Sequence, residues 1–288
     1  MELKSLIPAR FRKDAVVIPV VRLSGIIAAG GAPFNPSLSL ASCANSLKRA
    51  FEFKSAPVVV LSINSPGGSP VQSRLIHSRI RELADKHKKR VLVFVEDVAA
   101  SGGYMLALSG DEIIADETSI VGSIGVVSAG FGFPEAIAKL GIERRVHTAG
   151  PNKAILDPFR PEKAEDVAHL KELQLEIHRI FIDMVIAARG SKLADDKDLF
   201  TGLFWTGERA KALGLVDQCG LMGKIITERY GEKAVLQLVQ PKRSLFGRPQ
   251  PGIGVSDAAL AGQGMAAQIA PALLAALEER AQWQRFGL

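Results

Sequence analysis

Two kinds of apolar pattern alternate along the first half of the chain. Residues 16–21, 58–64 and 91–95 are runs dominated by β-branched and aliphatic side chains. Such runs read as strands covered on both faces. The first continues through Leu23-Ser24-Gly25-Ile26-Ile27, and the second is bounded by Pro57 and Pro66. Between them, apolar residues recur every three or four positions. Leu47, Ala50 and Phe51 predict a helix over 42–53; Leu75, Ile76, Ile80 and Leu83 predict one over 69–89. A short helix over 101–109 and a short strand over 112–115 come next. Strands alternating with helices predict crossover units and a mainly parallel α/β sheet.

The second half reads differently. Val167, Leu170, Leu173, Ile177, Ile180, Phe181, Met184 and Val185 mark a long amphipathic helix over 162–188, and a shorter helix is expected over 206–213. Gly and Pro then crowd the chain from Gln240 to Gly252, which reads as a linker. Beyond it, 256–286 is Ala-rich and helical in pattern, interrupted by Pro271. The expected organisation is a basic tail at 1–14, one domain at 15–240, a linker at 241–255 and a helical appendage at 256–288.

Composition narrows the function classes. Of the 288 residues, 47% are hydrophobic and 23% charged, which excludes a disordered, collagen-like or coiled-coil chain. Two cysteines, Cys43 and Cys219, are too few for a disulfide framework or a cysteine zinc site. The net charge is +6, but only 6% of residues are aromatic, which leaves few rings for stacking on bases; no nucleic-acid partner is expected. The basic residues Lys4, Arg10, Arg12 and Lys13, with Lys242, Arg243 and Arg248, read as solvated tails or as a contact with an anionic lipid surface. A membrane span needs about 20 apolar residues. The longest apolar stretch, 15–32, contains Arg22 and Pro19 and reads as a strand, neither a span nor a cleaved signal. A cytoplasmic protein, peripheral to the inner face of a membrane at most, is expected. Neither a phosphate-binding G-x-x-x-x-G-K-[ST] loop nor a His-Glu-x-x-His zinc motif occurs, so no cofactor and no metal are expected.

Three segments carry chemistry. Asn64-Ser65-Pro66-Gly67-Gly68 ends one predicted strand and opens a helix; two glycines there expose backbone N–H groups that suit negative charge. Ala99-Ala100-Ser101-Gly102-Gly103-Tyr104 also passes from strand to helix, and a serine on such a turn presents its hydroxyl. Taken alone, Ser101 reads more readily as a helix N-cap. The third is Gly122-Ser123-Ile124-Gly125-Val126, with Gly150-Pro151-Asn152-Lys153 after it. A serine nucleophile needs a base. His77, His87, His169 and His178 fall on predicted helices and read as surface or core residues; only His147 lies in a loop.

These three motifs, with Leu213-Gly214-Leu215-Val216-Asp217, make residues 16–239 resemble the signal peptide peptidase A family of Ser–Lys serine peptidases. The resemblance implies a Clp-protease/crotonase-type fold of repeated β-β-α units. It implies Ser101 as nucleophile, Lys153 as general base, Gly68 and Gly102 as oxyanion-hole donors, and Ser123 as the residue that orients the lysine. The chain departs from the family at Asn152, where Gly or Tyr usually precedes the lysine. The resemblance further implies a peptide substrate, such as signal-peptide remnants or other apolar peptides, and a homo-oligomer. Phe131 and Phe133 are candidates for an apolar specificity pocket. A free lysine titrates near pH 10.4, so a lysine base must lose its solvent to be neutral at pH 7; the apolar Ala154-Ile155-Leu156 fit that demand.

Three other readings share parts of this pattern. A crotonase-type acyl-CoA enzyme would use the paired amides but needs carboxylates that Ala99-Ala100 do not supply. A Clp-type triad would need His147 and an aspartate. An inactive scaffold of the same fold would not need Ser101 and Lys153.

Overall fold

The computed structural model describes residues 15–30, 37–240 and 280–288. The expected basic tail, the linker and residues 256–279 of the appendage lie outside the described residues.

Eight strands form one sheet: β1 (Val16–Ser24), β2 (Val58–Ser65), β3 (Arg90–Ala100), β4 (Glu112–Ala115), β5 (Ile120–Gly122), β6 (Phe204–Thr206), β7 (Gln218–Cys219) and β8 (Ala234–Leu238). The helices are α1 (Leu40–Phe51), α2 (Pro70–His87), α3 (Gly102–Ala107), α4 (Pro134–Lys139), α5 (Ala164–Arg189), α6 (Gly207–Ala212) and α7 (Met222–Tyr230). The strand order is β6-β5-β3-β2-β1-β8, with β4 also on β3 and β7 on β4. All pairs are parallel except β5–β6. The chain is therefore α/β with a mixed, mostly parallel sheet, as the alternating pattern predicts.

Two of the predicted helices begin at serine caps. Ser39 and Ser42 form a reciprocal capping box ahead of α1, and Ser69 caps α2 with Pro70 in its first turn. The run of β2 is buried at every position. Alternate residues feed two cores. Val59, Leu61, Ile63, Val91, Val93 and Val95 face α1, α2 and α3, where Leu47, Phe51, Ile76, Ile80 and Tyr104 pack, with Phe181 and Val185 of α5 beside them. On the other face, Val58, Val60, Leu92 and Phe94 are covered by Ile225 and Ile226 of α7.

Strand β3 serves two partners on one edge. Its first half pairs with β4 from Leu92 to Val95, and its last three residues pair with β5. Between these halves its register with β2 shifts: Ile63 faces Val95, but Ser65 faces Ala99. Across this shift Glu96, Asp97 and Val98 lie against Asn64 alone. A bulge bends a strand and re-aims the chain beyond it. Here the re-aimed chain is the turn at Ser101.

Candidate active site

Both glycine-containing turns meet at the carboxyl ends of β2 and β3. Ser65 donates its hydroxyl to the Gly25 carbonyl at 2.7 Å and accepts the Gly67 N–H at 3.2 Å. Next to it, Ile27 donates to the Gly67 carbonyl and accepts from Ser69. This clamps Gly68 against the chain at Ile27. Gly68 sits at φ +135°, and a Cβ there would lie 2.1 Å from the Ile27 carbonyl oxygen, so only glycine fits. A Cβ on Gly67 would lie 2.8 Å from the Ser101 Cβ, so the two turns are in van der Waals contact.

Ser101 immediately precedes α3 with φ 51° and ψ −122°. An L-residue enters that region at a cost of about 1–3 kcal/mol and stays only where its surroundings over-determine it. The Ser101 N–H donates to the Gly122 carbonyl at 2.8 Å, and the Ser101 carbonyl accepts from Tyr104 and Met105. The side chain is not spent as a cap: it makes no hydrogen bond to the helix it precedes. Half-buried and without a hydrogen-bonding partner among the described residues, this hydroxyl is free to react.

The Gly68 and Gly102 N–H groups are not taken by any backbone acceptor among the described residues. They are neighbours, since the Cβ position of Gly102 lies 3.4 Å from the Gly68 nitrogen. A hydroxyl beside two unused amides can attack a carbonyl carbon while the amides receive the charge that develops on oxygen.

Ser123 lies one residue past the Gly122 that holds Ser101. It is buried, sits at φ 52° and donates its N–H to the Leu203 carbonyl at 2.7 Å. His178 of α5 meets the Ile124 carbonyl through Nε2 at 3.0 Å, fixing the strand end from outside. Ser101, Ser123, Gly68 and Gly102 are thus brought together. Lys153 is not. It lies in an exposed turn, its N–H on the Gly150 carbonyl, and its ammonium makes no hydrogen bond or ion pair among the described residues. Ala154, Ile155 and Leu156 are half-buried. His147 is exposed in the same region, and no hydrogen bond joins it to Ser101 among the described residues. Phe131 and Phe133 are exposed; Phe133 stacks on Phe131 and Phe159, and Arg144 lies over the Phe159 ring at 5.4 Å.

Several supports of the site have no role in the sequence reading. Asn64 donates to Asp97 at 2.6 Å and accepts the Val98 N–H at 3.2 Å. Glu96 accepts Arg22 in a forked contact and the Ser62 hydroxyl at 2.5 Å. Burial pushes its carboxyl up, but these donors outweigh burial and hold it below the usual carboxylate range. Tyr104, fully buried, donates to the Leu215 carbonyl at 2.8 Å. Buried Arg189 donates to the Gly214 carbonyl and makes a two-pronged contact with Asp217. Asp217 in turn accepts the Ile113 N–H and Lys192. The Leu213–Asp217 motif therefore ties α3, α5 and β4 together. Only the side chains' polarity within apolar surroundings hinted at these contacts.

Residues 83–236, more than half of the chain, match Peptidase family S49. The chain is 60% identical over 286 residues to a protein of Brucella abortus (strain 2308) named Na(+)/H(+) antiporter NhaA, covering 99% of this chain and 39% of that protein. It is 30% identical over 199 residues to the putative signal peptide peptidase SppA of Enterococcus faecium, covering 68% of this chain and 54% of that one. It is 32% identical over 199 residues to the probable protease SohB of Haemophilus influenzae, covering 68% of this chain and 56% of the relative. The chain thus spans roughly four-tenths to six-tenths of these relatives' lengths. With its serine turn, its paired amides and this match, the chain belongs to Peptidase family S49, the signal peptide peptidase A family of serine peptidases.

Proposed function

We propose that this chain is a serine endopeptidase that cleaves apolar peptides, signal-peptide remnants among them, through a Ser101–Lys153 dyad. The observation that carries the reading is the strained Ser101, its hydroxyl uncommitted, beside the Gly68 and Gly102 amides. In this reading the neutral Lys153 amine takes the Ser101 proton as Oγ attacks the peptide carbonyl carbon. The oxyanion rests on the two amides, with Ser123 steering the lysine. The intermediate collapses, the C–N bond breaks and the leaving amine takes the proton from Lys153. Water then hydrolyses the acyl-enzyme, with Lys153 again accepting a proton.

A lysine base must be shielded from water, and Lys153 is exposed in the single chain. Phe131, Leu140 and Ile142, in the same part of the chain, expose 75%, 74% and 55% of their surface. Apolar exposure on this scale marks an interaction surface. It supports a homo-oligomer in which a neighbouring copy covers this region and dries Lys153. The similarity to part of a protein named as an antiporter supports work beside a membrane; the cytoplasmic face is the side this proposal assigns. No helix of the described residues is long and apolar enough to cross one.

The test is labelling by a serine-directed fluorophosphonate, with peptide cleavage measured in parallel. Wild type is expected to label and cleave; Ser101→Ala should do neither. Lys153→Ala should lose cleavage with its fold intact. Normal turnover by Lys153→Ala would move the base to His147. Folded wild type that does not label would favour a scaffold or an acyl-CoA enzyme.

A further inference from the structure

The sheet face behind the serine turn is closed by a segment from far along the chain. Residues 280–284 are helical, and the segment runs on through Leu288. Phe286 is 7% exposed and forms one apolar cluster with Val98 and Ala100 of β3, both fully buried, with Ile120 of β5 and Trp283 packed against it. Its ring also meets Phe204 of β6 edge-on at 5.0 Å. One side chain therefore joins residues of three strands. Ala100 directly precedes Ser101, and Phe204 is the register partner of Gly122, whose carbonyl holds the Ser101 N–H.

Nothing polar fastens this segment among the described residues. Its backbone bonds are internal, from Arg285 to Ala281, Phe286 to Trp283, Gly287 to Gln284 and Leu288 to Trp283. Among the described residues its attachment is apolar burial. The face it covers has little bulk of its own, because Ala100 ends at Cβ and Gly122 has none. On the same face α7 closes a separate cluster with Ile18, Val20, Val58, Val60, Leu92, Phe94 and Ile114, none of which joins the cluster at Phe286. Between the two lie the charged Arg22 and Glu96. The amides of the candidate site are held from elsewhere, since Ile27, which clamps Gly68, belongs to the core on the other side of the sheet.

We propose that Phe286 is a positioning residue, which by filling the back of β3, β5 and β6 fixes the strand ends that present Ser101. The proposal rests on Ser101 being the nucleophile. It places the buttress on the side away from the Gly68 clamp, so its loss changes the presentation of Ser101 more than the binding of substrate.

The experiment uses the full chain with Phe286→Ala, Phe286→Leu and, as a control on the exposed side of the same segment, Gln284→Ala. Fluorophosphonate labelling rate, kcat and KM on a fluorogenic apolar peptide, and amide hydrogen exchange are measured on each. Phe286→Ala is expected to slow labelling and lower kcat by about tenfold to a hundredfold, the scale of a misplaced reacting group, with KM little changed. Exchange should quicken at 98–102 and 120–123 and stay slow at 58–63. Phe286→Leu should recover most of the rate, and Gln284→Ala should match wild type. Wild-type labelling and kcat in Phe286→Ala would overturn the proposal, as would faster exchange spread evenly over the sheet. If Phe286→Ala does not fold, Phe286→Leu and Trp283→Ala supply the same comparison at smaller amplitude. If wild type does not label, the nucleophile assignment fails, and exchange alone decides whether Phe286 orders these strand ends; unchanged exchange at 98–102 refutes it.

Discussion

Asn64 holds Val98 across a bulge. Its Oδ1 accepts the Val98 N–H at 3.2 Å while its Nδ2 donates to Asp97 at 2.6 Å, so one side chain bridges the place where β3 slips against β2. Val98 begins the three-residue stretch that pairs with β5 and leads into Ser101. Replacing Asn64 by Ala leaves a buried N–H without an acceptor, a loss of about 1–3 kcal/mol. Urea unfolding is expected to show that loss, and peptide cleavage should fall further than stability alone explains.

Gly68→Ala should be disproportionately damaging. The added methyl would overlap the Ile27 carbonyl oxygen, and φ +135° is itself strained for alanine. Gly223→Ala is the counterpart, because nothing lies within 4 Å of its Cβ position and it sits within α7. Thermal melts should place Gly68→Ala well below wild type and Gly223→Ala level with it or above by up to about 1 kcal/mol.

The Arg189–Asp217 pair makes stability depend on acid. Burial pushes the Asp217 carboxyl up, but Arg189, Lys192 and the Ile113 amide outweigh it and bring the group down to about 2. An aspartate lowered on folding stabilises the folded state above its unfolded pKa of about 3.9, and that contribution disappears as pH falls through the folded value. Wild type should therefore lose about 2 kcal/mol from this group between pH 4 and pH 2. Chemical denaturation across that window should show a shallower slope for Asp217→Asn, which starts from lower stability at pH 7.

Tyr104→Phe removes the hydroxyl that reaches the Leu215 carbonyl without opening a cavity. Stability should drop by about 1 kcal/mol, the usual net worth of a hydrogen bond. A variant as stable as wild type would mean that the contact contributes nothing.

Paired substitutions Phe131→Glu and Leu140→Glu should leave the melting temperature near wild type, since both side chains are exposed. Sedimentation should show a smaller assembly, and cleavage should fall with it. Unchanged size with both charges in place would remove this surface from the proposed oligomer.

The sequence shows the central strands of this sheet well, and its bulge and edge strands poorly. β2 and the start of β3 are visible because nearly every residue is apolar. The predicted strand 91–95 stops short because Glu96 and Asp97 break the apolar run, and a bulge whose carboxylates bind Arg22 and Asn64 has no periodic signature. β1 ends at Ser24 before the expected Ile27, which forms only isolated bridges to Leu38 and Gly68. β5, β6 and β7 are two or three residues long, too short for any period, and β8 has only five. Of the candidate site, the two glycine turns and Ser101 are legible from strand-to-helix spacing, because such turns are local. The distance from Lys153 to Ser101 is set by tertiary placement, to which no local pattern answers.

The pairing of β1 with β8 has a consequence for how the molecule is made. β1 is the first strand of the sheet in the chain and β8 the last, yet they run side by side from Val16 opposite Ala234 to Val20 opposite Leu238. Synthesis proceeds from the amino end, and contacts distant in sequence form late. Until residues 234–238 emerge, one edge of β1 presents free amides and carbonyls to any extended chain nearby, a hazard that nascent sheets share with aggregation. Completion of the sheet therefore waits on its last strand, and nascent molecules truncated before Ala234 are expected to depend on chaperones in a way that molecules extending past Leu238 do not.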